Sequence, residues 1–398
     1  MDMFKKALLL SAVFCLSVSA LADDWPVWRG PNQDGISKEK GIKPSTKIAW
    51  KKNVGEGYSA VTVCDGKLLT AGHKGGKDTI YCLDPATGRE IWKYSYSCSR
   101  GNRYPGPRAT PITDGKKVWM LSRECELICL DLTSGKKIWH KDLMSEYGAD
   151  NVRWGVSSSP VLVGNIVTVN VGTDGMAFDK NTGKAVWPNK GGKGSYASPA
   201  VFKFKGKAYA AIFSAKSLVV VDASSGKVAA SYPWPAKYDI SAADPLVSAD
   251  GQYIFISTGY NTGRGALLKF NGSKLSKVWQ NTNMKSQFSS PILIDGVLYG
   301  VDGNTNSRKS LCAVDFMTGK EKWQGTIRFG SMIAADGKLI YIDEKGKLYF
   351  VKIDPSREVI LKSGQVLRGG KSWTMPVLAN GLLYCRNSNG DLVCIKVK

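Results

Sequence analysis

Short stretches of alternating apolar and polar residues run along the whole chain, as in Ser290-Pro291-Ile292-Leu293-Ile294 and Val297-Leu298-Tyr299. A period of two puts one face of an extended strand inward, so these stretches read as β-strands. Asp295-Gly296 between them reads as a tight hairpin turn in which both residues take positive φ. The same junction returns at Gly66, Gly115, Gly164, Gly206, Gly251, Gly296, Gly337 and Gly381, at intervals of 41 to 49 residues. Asp precedes the glycine five times and Asn once, at Asn380. Even spacing in this range marks a repeat architecture.

A second pattern follows each turn by about twenty residues, clearest in Asp84-Pro85-Ala86-Thr87-Gly88 with Trp92 beyond it. It recurs from Asp131 with Trp139, from Asp179 with Trp187 and from Asp315 with Trp323. Asp222 keeps the turn but has Ala230 at the Trp position, Asn271 keeps Trp279 without the glycine, and the copy at Asp354 ends on Lys362. Asp and Thr side chains bond nearby backbone groups, Gly takes the left-handed position, and Trp buries a large ring. Each unit then holds four strands: inner (Ser289–Ile294), second (Val297–Gly300), third (Leu311–Val314) and outer (Glu321–Ile327). Such units are the blades of a β-propeller.

The chain therefore reads as an all-β, eight-bladed propeller of four-stranded antiparallel blades. Its eighth unit stops at Lys398, just after the third strand Leu392–Val397. Thr46-Lys47-Ile48-Ala49-Trp50 matches Arg89-Glu90-Ile91-Trp92 and supplies the missing outer strand, which closes the ring and leaves no open sheet edge. Trp50, Trp92, Trp139, Trp187, Trp279 and Trp323 are the expected structural tryptophans.

Residues 1–22 carry Lys5 and Lys6, the apolar run Ala7–Val18 and Ala20-Leu21-Ala22, the pattern of a secretory signal peptide cleaved near Ala22. Phe14 before Cys15 speaks against a lipid anchor there. Residues 23–45 form an extension expected to pack on the ring, and 46–398 a single propeller domain. Export favours a periplasmic or extracellular protein, monomeric and without a transmembrane segment.

The chain carries 55 basic and 33 acidic residues, a net charge of +22, which favours anionic partners. The lysines are spread evenly with no basic run, so nucleic acid is an unlikely partner. Of the nine cysteines, Cys385 and Cys394 face one another if Asn389-Gly390 makes a two-residue turn, which would allow a disulfide. His73 and His140 are the only histidines, and neither sits in a metal, haem or triad motif.

In a propeller the loops entering the inner strands gather on one face, around the axial funnel. Here they are rich in rings and cations, and loops on a rigid scaffold are where binding residues concentrate. Tyr58, Arg103, Tyr104, Arg108, Arg153 and Trp154 come from the first three blades. Tyr196, Phe288, Arg328, Phe329, Lys371 and Trp373 come from later ones. Such a surface suits a protein, a peptide or an anionic polysaccharide.

The Ser-Pro inner strands, the Leu-Asp-x-x-Thr-Gly-x-x-x-Trp turns and the opening Asp24-Trp25-Pro26-Val27-Trp28-Arg29-Gly30-Pro31 resemble the pyrroloquinoline-quinone-type propeller repeat over the whole mature chain. That resemblance implies one of two branches. Quinoprotein dehydrogenases hold pyrroloquinoline quinone and Ca²⁺ at the funnel, often beside adjacent cysteines. No two cysteines are neighbours here, a Cys-x-x-Cys-His haem module is missing, and the candidate calcium carboxylates Asp239 and Asp244 are isolated. The other branch is the cofactor-free propeller of the outer-membrane assembly machine, which this chain resembles more. The expectation is an exported, non-catalytic binding scaffold of the cell envelope; the alternative is a quinone- and Ca-dependent alcohol or sugar dehydrogenase.

Overall fold

The computed structural model describes residues 23–187, 191–260, 263–305 and 310–398. The leader expected at 1–22 lies outside the described residues. Eight sheets follow one another along the chain. Blade 1 comprises Thr62–Cys64, Lys67–Lys74, Lys77–Leu83 and Glu90–Ser97. Blades 2 to 8 start at the inner strands Ile112–Thr113, Val161–Val163, Ala200–Phe204, Leu246–Val247, Ile292–Ile294, Gly330–Ala335 and Val377–Ala379. Ile48–Asn53 pairs antiparallel with Asp391–Lys396 as the outer strand of blade 8, so the two chain ends share one sheet. Ile36–Ser37 adds a short parallel strand inside Gly330–Ala335, which the sequence did not announce.

Five of the eight glycine turns have positive φ at both residues: Asp65-Gly66, Lys205-Gly206, Asp295-Gly296, Asp336-Gly337 and Asn380-Gly381. In the other three only the glycine is left-handed. Val163 is β-branched and avoids positive φ, so it pairs with Ile166 and leaves Gly164-Asn165 as the turn. Asp114 and Asp250 instead accept backbone N–H groups of Lys116, Lys117 and Gln252 within longer loops.

The tryptophans join neighbouring blades. Each indole N–H donates to a main-chain oxygen of the next blade: Trp50 to Pro85 (3.1 Å), Trp92 to Leu132 (2.9 Å) and Trp139 to Lys180 (3.3 Å). Trp187 donates to Ala223 (3.2 Å), Trp279 to Phe316 (2.9 Å) and Trp323 to Asp354 (3.1 Å). Five of the six rings lie against the turn glycine of that blade; the turn that receives Trp323 has none. A β-carbon on Gly135 would stand 2.6 Å from Trp92, which is why the turn requires glycine there. One residue before the tryptophan position, each outer strand carries a β-bulge. The bulge re-aims the ring toward the neighbouring blade and leaves the skipped residue in solvent, as at Ile91, Ile138 and Leu361.

Volume is conserved across this joint. Cys82, Cys129, Cys394, Ala177 and Ala313 stand opposite a tryptophan. Where the ring is replaced by Ala230 or Lys362, the facing residues are the larger Val220 and Phe350. Leu267 opposite Trp279 departs from this trade.

Cys385 and Cys394 do not bridge. Cys385 pairs with Val393 and Cys394 with Tyr384, so the two thiols leave opposite faces of the sheet. The turn is longer than two residues, with the Asn387 N–H donating to Asp391 O, and that shifts the register by one. Both cysteines are free and buried.

Truncating Trp187→Ala should cost about 3–5 kcal/mol, read as a lower denaturant midpoint, because it opens a joint filled by a buried ring; a change within about 1 kcal/mol would remove the ring from that role. The turn carboxylates Asp84, Asp131 and Asp315 are held below the usual range, first by the hydroxyls of Thr87, Ser134 and Thr318. A depressed folded pKa stabilises the fold above the unfolded value near about 4 and loses that contribution as pH falls through the folded one. The melting temperature should therefore decline below about pH 4, and less steeply in Asp131→Asn.

Candidate functional site

A belt of hydrogen bonds around the axis sets where the loops converge. The amide of Ala60 donates to the Thr110 hydroxyl, that of Thr110 to Ser159, and that of Ser159 to Ser198. The Ser198 amide donates to Asp244 Oδ1, and the Asp244 amide to the Ser290 hydroxyl, all five bonds measuring 2.7–3.0 Å. This is the physical reason for Ser or Thr before the inner-strand prolines: each hydroxyl accepts a buried amide from the preceding blade. Asp244 occupies a Ser position in this belt and has an oxygen to spare. Its Oδ2 accepts the indole N–H of Trp28 at 2.7 Å.

That contact anchors residues 23–45. Trp25 exchanges backbone hydrogen bonds with Val63, and Pro26 O accepts from Thr113 N–H, beside the glycine turns of blades 1 and 2. Arg29 is buried and donates to the carbonyls of Gln33, Asp34 and Pro291. Further on, Ile42 N–H donates to Asp336, and Glu39 accepts the Gly381 N–H, in blades 7 and 8. The segment thus crosses the glycine-turn side and presents Trp28 to the funnel from behind. Burial pushes the Asp244 carboxyl up, while Arg29 pulls it the other way.

The result is a cavity of about 320 Å³ floored by Trp28 and Asp244 and open at the other end. Eight of the twelve residues expected on the funnel face line it: Tyr58, Arg103, Tyr104, Arg108, Trp154, Tyr196, Phe288 and Trp373. Their rings form a continuous arc. Tyr196 lies 6.2 Å from Trp154, Trp154 6.2 Å from Tyr104, and Tyr104 5.6 Å from Trp373. Trp373 stacks on Tyr58 at 5.3 Å and meets Phe288 at 5.0 Å.

Four expected residues do not line the cavity. Phe329 is fully buried and buttresses Phe288 edge-on, because blade 7 starts its inner strand at once, at Gly330. Arg328 is exposed, and its carbonyl accepts the Tyr341 hydroxyl. Lys371 pairs with Glu344 at 3.6 Å, and Arg153 lies over the rings of Trp154 and Tyr238. Trp28, Tyr260 and Gln287 line the cavity without having been expected there, and Asp244, weighed in the sequence as a candidate calcium carboxylate, lines it too.

Arg108 is the pivotal charge. It donates to Gly155 O at 2.9 Å, and no carboxylate is within ion-pair distance of it among the described residues. Burial, then the nearby Arg123, push its guanidinium down to about 10, so it remains cationic at neutral pH.

The funnel does not fit a quinone with calcium. Both Asp244 oxygens are engaged by Ser198 and Trp28, and Trp28 fills the floor. Among the described residues no three His, Cys, Asp or Glu side chains converge on a metal-sized space. No helix among them is long and apolar enough to cross a membrane.

Eight four-stranded blades with tryptophan joints define a propeller of the pyrroloquinoline-quinone-like repeat class. Among solved structures, BamB from Moraxella catarrhalis superposes with a TM-score of 0.66 at 14% identity, over 88% of this chain and 99% of its own. The quinohemoprotein alcohol dehydrogenase of Comamonas testosteroni gives 0.63 at 13% identity, over 94% and 80%. In sequence, the outer membrane protein assembly factor BamB of Yersinia pestis is 22% identical over 331 residues, 76% of this chain and 77% of that protein. The pattern of the family described as outer membrane protein assembly factor BamB matches residues 76–325. The chain belongs to that family.

Asp244→Ala removes the acceptor of two buried donors and the charge facing Arg29. It should destabilise the protein by about 3–5 kcal/mol and shift the emission of Trp28 toward that of an exposed indole. Unchanged stability and emission would show that the latch contributes nothing.

Proposed function

We propose that this protein is an exported, non-catalytic scaffold of the cell envelope that binds a protein segment through its funnel face. The observation that carries this reading is the arc of six rings, Tyr196 to Phe288, held at the mouth of a closed-bottomed cavity. Rigid aromatics offer large contact area at little entropic cost and dominate binding hot spots. Membership of a family described as assembly factors supports a protein as partner, within outer-membrane protein assembly. The partner need not recognise a cofactor, since every carboxylate oxygen at the funnel floor already serves the scaffold. The protein acts as a monomer, with the leader at 1–22 directing export to the periplasm or beyond.

The test is affinity capture from native envelope extract with the wild-type chain and with Tyr104→Ala and Trp154→Ala, each checked for an unchanged far-UV spectrum. Loss of a hot-spot ring should reduce recovery of the specific partner by tenfold or more, on the order of 2 kcal/mol. Equal recovery by all three would reject the funnel as the binding face. Dye-linked alcohol oxidation on adding pyrroloquinoline quinone and Ca²⁺ would reject the non-catalytic reading.

A further inference from the structure

The polar groups around the funnel are unevenly committed. Ser157 Oγ donates to Tyr196 O, Thr374 Oγ1 donates to Tyr58 O, and Ser198 Oγ accepts the Ser159 N–H. Asp244 is engaged at both oxygens. Two buried donors in the lining have no partner among the described residues: Arg108 Nε and Trp373 Nε1. Orphaned buried donors cost free energy, and a buried guanidinium bonded only to a carbonyl costs more. Both costs vanish when an anion sits against them.

We propose that the funnel recognises one carboxylate carried on an aromatic or aliphatic body, as an acidic peptide segment presents it. This inference rests on the funnel being the binding face. The carboxylate accepts from Arg108 and Trp373, a charge-assisted pairing of the strong kind. The body lies against the Tyr58–Trp373 stack and Phe288. Exposed Arg103 at the rim adds steering without adding to the buried pairing. A polyol is a poorer match, because three of the lining hydroxyls a sugar would use are spent inside the scaffold. The volume of about 320 Å³ sits at the small end of ligand pockets, enough for one ring and one carboxylate rather than a folded domain.

The experiment is calorimetric titration of the full chain with acetyl-Gly-Phe-Glu-Phe-Gly-amide, its Gln counterpart, and acetyl-Gly-Phe-Gly-Phe with a free terminal carboxylate. Oligogalacturonate serves as an anionic glycan of the same charge type. The Glu peptide should bind at least about tenfold more tightly than the Gln peptide. Arg108→Gln should erase that ratio, and Trp373→Phe, which keeps a ring and loses the N–H, should reduce it in part. Preference for the free-terminus peptide over the Glu peptide would assign the carboxylate to a chain end and leave its chemistry intact. Equal binding of the Glu and Gln peptides, a ratio unchanged in Arg108→Gln, or stronger binding of oligogalacturonate would overturn the proposal. If that happens while envelope capture still depends on Tyr104 and Trp154, the carboxylate fails and the funnel reading stands.

Discussion

Every blade has two apolar faces, and only a closed ring covers both faces of all eight. The pairing of Ile48–Asn53 with Asp391–Lys396 is therefore the contact on which the rest depends. Without it the last sheet lacks the strand that bears Trp50, and the joint to blade 1 through Pro85 is lost with it. The extension reinforces the same seam. Lys43 N–H donates to Val397 O, and Glu39 accepts from Gly381 and faces Lys398 at 3.7 Å. Closure is a long-range contact between chain ends, expensive in loop entropy and satisfied only when all blades are in place.

Closure also makes the site. Once the ring fixes the blade count, the loops entering the inner strands must converge on the axis, and the belt from Ala60 to Ser290 fixes their spacing. Asp244 turns one link of that belt into an anchor for Trp28. A channel through the ring becomes a cavity with a floor. The rings above it are packed against one another, which fixes their positions before any contact is made. Arg108 then stands as a cation in a largely aromatic wall, where its burial is costly and its hydrogen bond goes to a carbonyl.

Much of this was legible beforehand for reasons that can be named. Turn glycines are visible because positive φ excludes most side chains, and the tryptophans because a large ring recurs at one position of six outer strands. The aromatic loops were visible because rings in loops are rare unless packed or used. Phe288 and Phe329 illustrate the limit: both precede inner strands in similar context, yet one lines the cavity and the other is core. The difference lies in how far each loop extends before its strand begins. The cysteine pair failed for a similar reason, since a single residue of turn length reverses which face a side chain takes.

Local chemistry, then, determined the strands, the turns, the repeat and the blade count, because each depends on contacts within a few residues or on a period. What only the tertiary structure decided are the contacts that join distant residues: Trp28 with Asp244, Glu39 with Gly381, and the shared surroundings of Arg108 and Trp373. No spacing rule encodes these, because they exist only after the ring has brought together segments hundreds of residues apart.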